Sequence, residues 1–137
     1  AMKISKLDNT KLYYLASPYS GKTKNKKLNK QIENKRFEAV TSFAAKLFVE
    51  NEIKCILPIT TSHIMAKVYK KPLGVSWDYW KRYDTKLVES SDVLLVLCLD
   101  GLEESTGVQA EIELAKEFGK PIYYVDPETL EVSRKPR

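Results

Sequence analysis

Val93-Leu94-Leu95-Val96-Leu97-Cys98-Leu99 is an unbroken apolar run of strand length, closed by Asp100-Gly101. A strand with one wet face alternates apolar and polar residues, so a run without alternation fits a strand covered on both faces, as in a parallel sheet. Reading outward, Leu12–Ala16, Ile53–Leu57 and Ile122–Val125 are shorter runs of the same kind, the first stopped by Ser17-Pro18 and the second by Pro58. Leu130–Ser133 fits an additional edge strand.

Between these runs the apolar spacing changes to that of helices. A helix is expected from about Ile32 to Glu50, with Phe37, Val40, Phe43, Ala44, Leu47 and Phe48 on one face. A short helix is expected over 61–69. Ser76 reads as the N-cap of a helix reaching Glu89, and Thr106 to Phe118 forms another, closed by Gly119. Residues 20–30 and Lys70–Val75 read as loops. Strands alternating with helices predict an α/β fold: one domain over residues 2–137, a three-layer sandwich around a four- to five-stranded parallel sheet. In such folds ligands bind at the carboxyl ends of the strands.

A chain of 137 residues, 43% hydrophobic and 30% charged, has the composition of one globular domain. Ala1 ahead of Met2 reads as the remnant of a tag, and no signal peptide is expected after it. No apolar run approaches the roughly 20 residues that span a bilayer, so no membrane partner is expected. Cys55 and Cys98 lie in apolar stretches, as reduced core thiols of a cytoplasmic protein would. Much of the net charge of +5 is local: Lys22, Lys24, Lys26, Lys27 and Lys30, then Lys35 and Arg36. That run lacks the aromatics and motifs of a nucleic-acid binder and reads as a solvated loop or a local attractor for anions.

Two carboxylates stand out when the helices are projected at about 100° per residue. Glu111 falls inside the apolar stripe Val108, Ile112, Leu114, Ala115 and Phe118, whereas Glu113 and Glu117 point away. Asp84 lies among Trp77, Trp80, Leu87 and Val88 on the buried face of the preceding helix. Burying an ionised carboxylate costs several kcal/mol, so two inward acids beside the central strand mark a site. Close to its helix N-terminus, Glu111 is expected to be held ionised by the helix dipole, ready to attack an anomeric carbon. The structural alternatives are a Glu111 satisfied by backbone amides or a lysine, and an Asp84 paired with an arginine or tyrosine.

Tyr14-Leu15-Ala16-Ser17-Pro18-Tyr19, then Asp84 with Ser91-Asp92-Val93, then Gly107-Val108-Gln109-Ala110-Glu111 and Gly119-Lys120-Pro121 together resemble the nucleoside 2-deoxyribosyltransferase superfamily. The likeness spans residues 12–126 and is greatest to a bacterial and phage branch with Ser62-His63 and a Trp77-Asp78-Tyr79-Trp80 segment. It implies a flavodoxin-like (Rossmann-like) fold, a homodimer or larger homo-oligomer, and no cofactor or metal. It further implies Glu111 as nucleophile, Asp84 on a sugar hydroxyl, and Ser17 to Tyr19 lining the site. Six residues before the nucleophile the transferases carry an aspartate. Here Ser105 stands there, as in the 2′-deoxynucleoside 5′-monophosphate N-hydrolases, where a serine helps bind phosphate.

Ser105, Thr106 and Gly107 at a helix N-terminus make a plausible phosphate nest, although Ser105 also fits a plain N-cap. Asp100 is a candidate for handling the proton of the base, or a simple strand-end turn. The expected reaction is retaining cleavage of the N-glycosidic bond of a nucleoside or its 5′-monophosphate, ending in hydrolysis or base transfer. A non-catalytic nucleotide or ADP-ribose binder on the same fold is the alternative.

A third possibility is phosphotransfer, because Ala16-Ser17-Pro18-Tyr19-Ser20-Gly21-Lys22-Thr23 nearly spells a P-loop. His63, the only histidine, reads as a capping or structural residue, with base or phosphate contact as its functional option. Trp77, Tyr79 and Trp80 read as core and interface ahead of a stacking platform.

Overall fold

The computed structural model describes residues 2–136. Ala1, expected to be the remnant of a tag, and Arg137, the last residue of the expected domain, lie outside the described residues. The chain folds as one six-stranded mixed sheet with four helices. The strands are β1 (Met2–Lys3), β2 (Leu12–Ala16), β3 (Lys54–Ile56), β4 (Val93–Leu97), β5 (Ile122–Val125) and β6 (Glu131–Ser133). The helices are α1 (Lys26–Asn51), α2 (Pro58–Val68), α3 (Trp77–Ser90) and α4 (Thr106–Glu117).

The sheet order is β1-β6-β5-β4-β2-β3. β3, β2, β4 and β5 run parallel, while β6 is antiparallel to β5 and to β1. The parallel part is thus as expected, but the sheet as a whole is mixed. The expected edge strand is β6, and it lies inside the sheet with β1 beyond it. A tight turn causes the reversal: Asp126 Oδ1 accepts from the amides of Glu128 and Thr129, and Leu130 takes a positive φ of 62°. A leucine at positive φ leaves no turn signature of the glycine or asparagine kind.

The apolar run of β4 is buried at every position because each face meets a different layer. Tyr13, Leu15, Val93, Leu95 and Leu97 pack with Val40, Phe43, Ala44 and Leu47 of α1. Tyr14, Ala16, Leu94 and Val96 pack with Val88 of α3 and Val108, Ile112 and Ala115 of α4.

Several element ends shift from the sequence expectation. α1 starts at Lys26, more than a turn before Ile32, with Asn25 capping the amide of Leu28. Lysines support a helix without adding apolar periodicity, so this solvated turn was invisible to pattern. Phe48, expected on the buried face, is 57% exposed. α2 begins at Pro58, whose fixed φ suits a first helical position. Gly119, at φ +68°, ends α4 in a Schellman turn, its amide on the Lys116 carbonyl and that of Lys120 on Ala115. Cys55 and Cys98 are half-buried, and no disulfide joins them. No helix of the described residues is long and apolar enough to cross a membrane.

Between β2 and β4 the order of connections reverses: the chain leaves β2 toward β3 on one side, and β4 toward β5 on the other. Two loops therefore part at the carboxyl ends of the two central strands and open a crevice there.

Candidate active site

That crevice is a cavity of about 740 Å³, of a size that takes a small organic ligand. Glu111 lies in its wall, 5% exposed. Its Oε2 accepts a hydrogen bond from the hydroxyl of Tyr14, which reaches across from β2 and is wholly buried. No lysine or arginine pairs with Glu111 among the described residues. Burial pushes its pKa up to about 8; the Tyr14 hydrogen bond opposes this and the nearby Asp84 adds to it.

The expectation of a dipole-stabilised, ionised Glu111 is therefore corrected. Glu111 sits in the second turn of α4, which opens at Thr106, and the field of a helix end fades within the first turn. Desolvation wins.

Asp84 also lines the cavity, and burial raises its pKa to about 7. It has no hydrogen-bond or ion-pair partner among the described residues, so the arginine or tyrosine pairing considered for it is not formed. Ser17, the first residue after β2, is 3% exposed, and its Oγ lacks any hydrogen-bond partner. An orphaned hydroxyl in a cavity wall is satisfied by ligand or water. The three groups share one physical trait: each is polar, inward and incompletely satisfied by the protein.

The cavity lining also holds two cations, Lys22 and Arg36, together with the acids Asp78 and Glu104. Ser105 does cap α4, accepting from the amide of Val108 at 3.2 Å, and it also lines the cavity with Thr106 and Gly107. Lys22 reaches the carbonyl of Glu104 beside this helix end. Arg36, just beyond the lysine-rich run, also lines the cavity and joins the two loops. Its Nη1 donates to the carbonyls of Tyr19 (3.2 Å) and Ser20 (3.0 Å), and its Nη2 donates to that of Asp100 (3.0 Å). These partners are neutral carbonyls, and Arg36 forms no ion pair among the described residues.

Gly101 takes φ +92°, and a Cβ there would press on Nη2 of Arg36. Gly101→Ala is therefore expected to break this clamp. It should cost about 1 kcal/mol or more of stability, as thermal melts of the two proteins would show.

Other expected residues fall differently. Tyr19 lines the cavity, but His63 does not; its Nδ1 lies 2.7 Å from the Tyr19 hydroxyl and its ring stacks on Phe37. Asp100 is not among the lining residues and offers Arg36 its carbonyl, which favours the strand-end turn over a proton-handling role. Trp77 and Trp80 line the cavity, against the expectation that they serve core and interface.

The P-loop likeness ends at this geometry. α1 starts only at Lys26, and the amide of Gly21, which a P-loop would aim at phosphate, donates to Glu33 Oε2 at 2.9 Å.

Tyr14, the partner of Glu111, and Arg36, in the cavity lining, are the residues of this site that pattern missed. A tyrosine in a buried strand needs a partner for its hydroxyl, which is a signal, but not one that names the partner.

A comparison with curated proteins returns no match. A family model described as a domain of unknown function, DUF1937, matches residues 11–126, from the start of β2 to the end of β5 and therefore across the whole cavity-bearing core. The chain belongs to the DUF1937 domain family.

Proposed function

We propose that this protein cleaves the N-glycosidic bond of a deoxynucleoside or its 5′-monophosphate, with Glu111 as the nucleophile. The observation that carries it is the inward Glu111, fixed through one oxygen by Tyr14 and left unpaired at the other. Oε1 is then free to attack C1′ while the C1′–N bond breaks and its electrons pass to the base nitrogen, which takes up a proton from water in the open cavity. Water, or a second base, attacks C1′ of the resulting glycosyl ester and returns Glu111 as a carboxylate. Asp84 accepts a hydrogen bond from the sugar. Lys22 and the α4 N-terminus with Ser105, Thr106 and Gly107 hold the 5′-phosphate.

The parallel core β3-β2-β4-β5 supports the flavodoxin-like likeness. With it come the expectations of a homo-oligomer, a cytoplasmic setting and no cofactor.

A second reading draws on the Glu111 pKa of about 8. A carboxyl largely protonated at neutral pH is a good hydrogen-bond donor, as a non-catalytic nucleotide binder would use. Incubation with the four deoxynucleosides and their 5′-monophosphates, with and without a free acceptor base, separates the two. Free or exchanged base is the expected product, with faster release from the monophosphates. Saturable binding with no base release in any mixture would overturn cleavage and leave the binder.

A further inference from the structure

Tyr19 is anchored at both ends. Arg36 holds its carbonyl, and Nδ1 of His63 lies 2.7 Å from its hydroxyl. His63 is itself fixed by stacking on Phe37, with ring centroids 3.9 Å apart and planes 14° apart. The cavity lining also includes apolar side chains from the same two helices, Ile32 of α1 with Pro58 and Ile59 at the start of α2, and Ser62 adds a second hydroxyl. Nothing in the cleavage chemistry above uses this arrangement.

We infer that this part of the lining reads the nucleobase, with Tyr19 contacting its polar edge and His63, one layer behind, acting as the positioning residue that fixes the Tyr19 hydroxyl. The inference rests on the nucleotide reading and adds to it the means of choosing among bases. A base presents flat apolar faces and a polar edge, which apolar side chains with a fixed hydroxyl match. Held at one side by His63, such a hydroxyl discriminates because a wrong edge desolvates its remaining hydrogen-bonding capacity without meeting it.

Charge agrees with this placement. Burial pushes the Tyr19 phenol up to about 12, so it stays protonated. Burial, then Lys67, lowers the pKa of His63, against a smaller opposite pull from Glu33. The pair is thus uncharged near neutrality and suits a base better than a phosphate. The phosphate is held elsewhere, at Lys22 and α4.

The test compares wild type, Tyr19→Phe, His63→Phe and the double variant. Binding of the four deoxynucleoside 5′-monophosphates is measured by calorimetry, with ribose 5-phosphate as a probe that has no base. His63→Phe keeps a ring against Phe37 and removes Nδ1. Each single variant is expected to lower the preference for the best base over the next about tenfold, the double no further, with ribose 5-phosphate unchanged.

Because His63 is the only histidine, its imidazole ¹⁵N signals can be followed without assignment, and they should shift in Tyr19→Phe and on nucleotide binding. Equal losses for all bases and for ribose 5-phosphate, additive losses in the double variant, or unmoved ¹⁵N signals would overturn the inference. Binding without cleavage would leave it standing and sink only the catalytic reading. A wild-type protein that binds none of the four would sink both.

Discussion

Glu111→Gln is expected to reduce base release by about 10³-fold or more while making the folded protein more stable above neutral pH. The two effects share one cause. A carboxyl with an ordinary value of 4.5 is raised to about 8 by burial, so between those values the folded chain keeps a proton that the unfolded chain releases. Stability contributed by the protonated group is complete below about pH 4.5 and is lost as pH rises through about 8.

Glutamine is neutral throughout and still offers Tyr14 an oxygen. The variant should therefore match wild type near pH 4 and gain a few kcal/mol near pH 9, seen as a melting temperature several degrees higher. Parallel stability curves for the two proteins across that range would show that Glu111 is not buried as described. Asp84, raised to about 7, should add a smaller trend of the same sign, since it is partly open to the cavity.

Tyr14→Phe is the second large effect. The hydroxyl is the one group that lowers the Glu111 pKa against burial and the Asp84 charge. Its removal should push that pKa further up, so less of the nucleophile is ionised at pH 7. The acid limb of kcat/KM should move to higher pH, with a loss of about 10- to 100-fold at pH 7 that shrinks toward pH 9. A loss that is the same at both pH values would mean that Tyr14 only fills space. Stability should also fall by about 1–3 kcal/mol, because Oε2 of Glu111 loses its buried donor.

The inward carboxylates were legible because helical periodicity assigns a face to each residue, and an acid in an apolar stripe contradicts its surroundings. Their ionisation was not. A dipole argument from sequence counts residues from a helix start, whereas the pKa depends on how completely neighbouring elements exclude water, which only the packed structure supplies. Arg36 was read less sharply. Just beyond a lysine-rich run it fitted either a solvated segment or an attractor for anions, and only its position on α1 brings it to the cavity beside two loop ends that are far from it in sequence.

The four parallel strands were readable from apolar runs. β1, two residues long, and the turn at Leu130 carry no comparable pattern, so β6 was expected only as an edge strand, without its antiparallel sense and without β1 beyond it. His63 was rightly noticed as singular, but its place behind Tyr19 depends on α2 packing on α1, a contact that no spacing encodes.

Covalent attack by Glu111 is tested most directly by stereochemistry. Cleavage of a β-deoxynucleoside 5′-monophosphate in dilute methanol should yield a methyl deoxyriboside 5-phosphate whose anomeric configuration proton NMR reads. Two displacements at C1′, the first by Glu111, predict the β-anomer. The α-anomer would mean a single displacement by solvent, and Glu111 would then not be the nucleophile.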